Sequence, residues 1–344
     1  MHKKRVLTGV LCCFGLFVLT LDSKTALEGA HVGIDLCLKT VIPSLFPFFV
    51  LSLILLNSLN DINLILLKPL GRLCRIPPGS EGLLICAFLG GYPVGAQNIA
   101  YSFRKGLLSQ STAERMLAFC SNAGPAFIFG ITSVLFPHKW MPWALWIIHI
   151  LSAVGVSMII PVQEETTAKR DYAKRNSSQD VILSSVRSMA CVCGWVILFR
   201  VLITFFVKWT RSLLSMEIQT IVIGLLELAN GCCQLESISN VSVRFVLCSA
   251  FLSFGGLCVT MQTFSVTQGL SIRSYCLGKS LQTILSIAIS ASIINIQLIP
   301  YLTFFVVVIL FLKVFKKRIA FIGRSLYNNN IKVRRKSLCF SERK

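Results

Sequence analysis

The chain has 344 residues, 54% of them hydrophobic and only 14% charged, where a soluble domain carries about 25% charge. A bilayer crossing takes roughly 20 mostly apolar residues, and charge-free runs of that size recur at 40–60, 82–103, 116–137, 140–163, 245–272 and 280–312. No soluble fold has interior enough to hide them all, so lipid is part of the solvent and a soluble enzyme is excluded. The net charge of +20 is placed topologically. Lys3, Lys4 and Arg5 precede the first apolar segment, and residues 313–344 hold eleven Lys/Arg against the single acid Glu342. By the positive-inside rule both ends are cytoplasmic, which requires an even number of crossings. The basic tail then faces anionic lipid, and nucleic acid is not the expected partner.

In chain order, residues 6–21 form the first, uncleaved span, since no clear signal cleavage site follows. Glu28, His31 and Asp35 next fall on one helix face, an interfacial or cavity-facing helix. Pro43 and Pro47 kink or unwind the start of the following span. The run Gly90-Gly91-Tyr92-Pro93-Val94-Gly95 interrupts 82–103 at mid-depth. Unwound backbone survives there only when buried in protein or lining a wet cavity, so 82–103 is predicted to be a re-entrant hairpin. Ser111 and Glu114 have capping-box spacing at the next helix, which breaks again at Ser121-Asn122-Ala123-Gly124-Pro125. Residues 140–161 are an uninterrupted span.

Residues 163–180 form a polar cytoplasmic loop dividing a first membrane half, 1–162, from a second, 181–312; the basic tail 313–344 follows. In the second half Arg200 lies inside 188–207, and Glu227-Leu228-Ala229-Asn230-Gly231 lies inside the next apolar stretch. Ala250-Phe251-Leu252 followed by Gly255-Gly256 echoes Ala87-Phe88-Leu89-Gly90-Gly91. This pairing predicts a second hairpin at 245–268 and an internal repeat, the pattern of transporters with a midplane site. The fold class is all-α: a polytopic helical membrane protein of about eight spans plus two broken-helix hairpins in two related halves.

Charges within a span cost roughly 2.5–3.5 kcal/mol on insertion scales and face protein or a cavity. Arg200 and Glu227 are therefore a candidate ion pair, with Glu227 the sharper ligand candidate; a purely structural pair is the competing reading. Gly91, Tyr92, Gly95, Gln97, Asn122, Asn230, Gly255, Gly256 and Gln262 complete the candidate substrate-binding set. Amides and free backbone suit a neutral hydrogen-bonding solute or a dehydrated ion, while small residues also serve close helix packing. Lys279, at a span start, reads as an interface anchor. His149 has no serine motif around it, and no hydrolase, zinc-protease or nucleotide-binding motif occurs, so no enzymatic activity is expected. The fourteen cysteines lie mostly in apolar segments and offer no metal set; no metal and no cofactor is expected.

Five motifs in order carry a resemblance: Pro43-Ser44-Leu45-Phe46-Pro47-Phe48, Gly91-Tyr92-Pro93-Val94-Gly95-Ala96, Phe119-Cys120-Ser121-Asn122-Ala123-Gly124-Pro125, Leu226-Glu227-Leu228-Ala229-Asn230-Gly231 and Phe254-Gly255-Gly256-Leu257. Over about residues 25–295 they resemble the YlbJ-like sporulation integral membrane proteins, which carry the nucleoside recognition or Gate domain. The resemblance implies the cell membrane of a spore-former, a role in spore formation and kinship with the hairpin core of nucleoside transporters. Gln97 stands where the family commonly has Lys, and Ser121 where it commonly has Asn. The expected function is a transporter or channel-like protein moving a small polar, nucleoside-like solute; the alternative is a non-transporting scaffold for spore formation. A second copy of the chain and other sporulation membrane proteins are the candidate protein partners.

Overall fold

With no water in a bilayer core, backbone N–H and C=O groups must pair within the segment, so apolar runs of this kind fold as helices. The structure is a computed structural model that describes residues 2–59, 65–162 and 178–294, and among these residues there are helices and no β-strand. Residues up to 290 form one compact unit; of the second unit, 291–344, only 291–294 are described. Most of the expected polar loop at 163–180, the apolar stretch beyond 294 and the basic tail therefore lie outside the described residues.

Helix α1 (His2–Leu21) meets α2 (Ser23–Leu36) at Asp22, whose carboxylate caps α2 by accepting from the Thr25 N–H. The two are bent by 98°. Glu28, His31 and Asp35 lie on the exposed face of α2, whereas Gly29 and Gly33 are buried against α10 (Ser178–Thr210). A π-helical turn, Cys37–Val41, leads into α3 (Ile42–Leu59), which runs on through Pro47. The wide turn comes just before Pro43, where an α-helical ladder would need the N–H that proline lacks.

The short α4 (Lys68–Cys74) precedes α5 (Gly82–Leu89) and α6 (Val94–Arg104). Gly91 turns left-handed (φ 78°) at their junction, a conformation that favours glycine. A Cβ on Gly95 would lie 3.1 Å from the Cα of Ala87, so α6 returns against α5 as the hairpin expected at 82–103. Next come α7 (Gln110–Leu117) and α8 (Pro125–Leu135), separated by the break at 118–124. Ser109 caps α7, accepting from the Thr112 N–H at 3.3 Å, two residues before the expected Ser111. Glu114 instead accepts from Gln110 Nε2 and the Ser271 N–H. Helix α9 (Trp140–Ile159) is uninterrupted.

After α10 the expected second hairpin moves. Helices α11 (Met216–Leu226) and α12 (Leu228–Gln234) are joined through Glu227 alone, in extended conformation. A Cβ on Gly231 would overlap the Cα of Gly224, so α12 folds back on α11. By contrast α13 (Val241–Phe254) and α14 (Gly256–Val266) make one 26-residue apolar segment interrupted at Gly255. The region 245–268 is thus a broken helix and not a hairpin. Two left-handed glycines offset the helix there without reversing it, whereas the single extended residue at 227 reverses the chain. Helix α15 (Arg273–Ile294) is again uninterrupted.

The order hairpin, broken helix, unbroken helix therefore occurs twice: α5–α6, α7–α8, α9, and α11–α12, α13–α14, α15. In this order the counterpart of Gly90-Gly91 is Glu227, not Gly255-Gly256 as the local sequence echo suggested. By length and composition, α9, residues 181–210 of α10, residues 241–266 and α15 qualify as membrane crossings, and the bent α1–α2 pair adds a fifth.

Candidate functional site

Each hairpin tip sits on the break of the helix that follows it. In the first half, a Cβ on Gly91 would come 3.1 Å from the Gly124 nitrogen; in the second, a Cβ on Gly256 would come 3.2 Å from the Leu226 carbonyl oxygen. The halves meet where a Cβ on Gly255 would reach the Tyr92 ring at 3.3 Å. Four interruptions thus converge, and two polar clusters are built on them.

The first cluster centres on Lys279, nearly two turns into α15 and 1% exposed. Its ammonium donates to the Tyr92 hydroxyl (2.7 Å) and to Gln282 Oε1 (2.6 Å), and stands 4.8 Å from the Tyr92 ring centre. Gln282 Nε2 donates to Asn122 Oδ1 (3.1 Å) and to the His149 carbonyl (3.2 Å); Asn122 Nδ2 in turn donates to the Phe119 carbonyl. His149 Nε2 accepts from the Ala123 N–H (3.0 Å), which puts the ring proton on Nδ1, facing Ser253 Oγ at 3.4 Å. The Tyr92 hydroxyl donates to the Leu252 carbonyl (3.2 Å). One network therefore ties the first tip, both breaks, α9 and α15 together.

The second cluster is built on Glu227, which is buried. Its carboxylate accepts from the N–H groups of Ala229 and Asn230 and from Asn230 Nδ2 (2.6 Å), capping α12. Asn230 Oδ1 accepts from Arg200 Nη1. Arg200 and Glu227, expected as an ion pair, are bridged through Asn230. Among the described residues the ion pairs are Lys39–Asp35 and Lys208–Asp22, both exposed or partly so. The reason is local: the carboxylate is already engaged by its own helix start, where the helix dipole favours an anion.

The remaining sequence-derived residues spread around these clusters. Gly95 presses on the Cys120 carbonyl, leaving no room for a side chain. Among the described residues, Gln97 is fully buried with no partner for either end of its amide, and Ser121 Oγ is likewise buried and unpartnered. Gln262 is buried and donates to Cys258 Sγ. Asn122 belongs with Tyr92, whereas Asn230 belongs with Glu227. The adjacent Gly255 and Gly256 are the joint between the two groups.

A search against curated proteins gives 26% identity over 322 residues to the sporulation integral membrane protein YlbJ of Bacillus subtilis (strain 168), covering 79% of each chain. The chain is similar to that membrane protein over most of its length. No family model and no solved structure matches it. By sequence alone Lys279 reads only as an interface anchor and His149 only as a residue without a serine motif, and Gln282 is not singled out. Lys279 was placed at a span start because 280–312 is the charge-free run. Helix α15 begins instead at Arg273, across the less apolar stretch before it, which carries Lys279 inward. The i, i+3 spacing of Lys279 and Gln282 was the available signal, since it puts both on one helix face.

Proposed function

We propose that this chain is a transporter or channel-like protein of the cell membrane, moving a small polar solute of nucleoside-like size through the junction of the two tips and two breaks. One observation carries the reading: a buried lysine without an acid partner among the described residues, set in a network that spans both halves, beside interrupted helices. Helices α6, α8 and α14 all start at this junction with no side-chain cap, and helix starts favour anionic groups. The chemistry suits a solute that offers hydrogen-bond acceptors and an acidic group, with the unpartnered Gln97 and Ser121 as further polar contacts. The Bacillus subtilis relative, a sporulation integral membrane protein, supports a part in spore formation. About eight crossings with both termini cytoplasmic, and a Gate-type kinship with nucleoside carriers, belong to the same proposal.

A second reading is a membrane scaffold for spore formation. It is favoured by Glu227, whose hydrogen-bond donors all come from its own helix. The test is uptake into proteoliposomes of orotate, uridine 5′-monophosphate and uridine. Transport expects entry of the two acids above protein-free liposomes, with entry lost in Lys279→Met. If none of the three enters while Lys279→Met still supports sporulation, the scaffold reading replaces transport.

A further inference from the structure

The setting of Lys279 leaves its charge unpinned. Its two partners, the Tyr92 hydroxyl and Gln282 Oε1, are both neutral. Gln282 is held in one orientation because its Nε2 is committed to Asn122 Oδ1 and the His149 carbonyl, and Asn122 Oδ1 is turned toward it by the bond from Asn122 Nδ2 to the Phe119 carbonyl. Gln282 therefore presents an acceptor that either an ammonium or a neutral amine can satisfy. Tyr92 is adaptable in the complementary sense. Its oxygen accepts from an ammonium while its hydrogen goes to the Leu252 carbonyl. If Lys279 is neutral, that hydrogen can turn to the amine lone pair instead.

Among the described residues, the groups facing the lysine contain no carboxylate. Tyr92 comes from the first tip, Cys120 from the first break and His149 from α9; behind them, Ser253 faces His149, and the Leu252 carbonyl and Tyr275 stand by Tyr92. His149 is fixed as the neutral ring by the Ala123 N–H. A buried ammonium with no counter-charge is unfavourable, and the same ammonium beside a bound anion is not.

We propose that Lys279 carries a proton through the transport cycle: it is protonated when an acidic solute occupies the junction and neutral when the junction is empty, so that one proton travels with each solute anion. On release, the lysine N–H bond breaks, the bonding pair stays on nitrogen, and the proton leaves with the solute or to water on that side. The lysine becomes the neutral amine held by Gln282 and Tyr92. This inference rests on the transport reading above and adds its coupling.

The test uses proteoliposomes of the full chain with an entrapped pH dye and an inward gradient of orotate, with protein-free liposomes as the permeation control. Orotate entry is expected to acidify the lumen in proportion to uptake. At equilibrium each imposed pH unit, acid outside, should sustain about tenfold accumulation. Lys279→Arg, which stays cationic, is expected to exchange orotate across a loaded membrane but to lose net proton-linked uptake. The wild-type proton count stands by itself if that variant does not fold. Orotate entry without acidification, driven by membrane potential alone, would overturn proton coupling and leave transport standing. Absence of entry by both orotate and uridine 5′-monophosphate would overturn both.

Discussion

The two halves of this chain share an order of elements and differ in where their charge sits. In the second half the tip carries its own acid: Glu227 caps α12 with three hydrogen bonds from that helix, and Arg200 is held at one remove through Asn230. In the first half the tip is Gly-Gly-Tyr-Pro, its helix starts uncapped, and the charge arrives from α15 as Lys279. An acid satisfied by its own helix is a closed arrangement. A base satisfied only by neutral groups is an open one. The difference teaches that the sharper sequence feature, a carboxylate inside a span, belongs to the architecture, and that the adaptable chemistry sits at the first tip, where α15 of the second half meets it.

Variants that break this comparison should separate architecture from chemistry. The largest effect is expected from Gly231→Val, since any Cβ there overlaps the Cα of Gly224 and the second hairpin cannot close. We expect a loss of about 4 kcal/mol or more, read as failure to recover monodisperse protein by fluorescence-detected size exclusion. Gln97→Leu should act in the opposite sense. It removes a buried amide without partners and should raise thermal stability, by about 1–3 kcal/mol, while lowering solute uptake; unchanged uptake would remove Gln97 from the site.

Glu227→Gln should cost about 1–2 kcal/mol, the scale of a weakened helix cap, and leave most uptake in place. Loss of uptake with unchanged thermal stability would reverse the assignment of the two tips. The smallest effect is expected from Glu28→Ala, on the exposed face of α2, at within about 0.5 kcal/mol.

Much of this architecture was legible in residue order because the physics is local. Gly91, Pro93 and Pro125 mark helices that cannot continue, and charge-free runs mark lipid. The first hairpin, the breaks at 118–124 and Gly255, and the unbroken α9 follow from such signals. The second hairpin was not legible, because Ala-Phe-Leu before a glycine pair looks alike in a hairpin and in a broken helix. What distinguishes them is the direction of the chain after the break: α6 returns against α5 where Gly95 meets Ala87, whereas α14 runs on from α13, and the second hairpin closes at Glu227 where Gly231 meets Gly224. Lys279 was hidden for a related reason. Composition places a charge at the edge of an apolar run, whereas the helix that carries it starts earlier, and its depth depends on Tyr92, far away in sequence. His149 gave no local signal at all; its role is defined by Ala123 and Ser253 on two other elements.

The comparison between the halves comes down to one pair of variants in one assay. In proteoliposomes given an orotate gradient, Lys279→Met and Glu227→Gln are measured beside the wild type, with thermal stability taken on the same preparations. Met removes the buried amine and leaves Gln282 Oε1 without its donor, a loss of about 1–3 kcal/mol. We expect Lys279→Met to remain folded and to lose uptake, and Glu227→Gln to lose some stability and keep most uptake. Uptake retained in Lys279→Met and abolished in a stable Glu227→Gln would contradict the placement of the chemistry at Lys279.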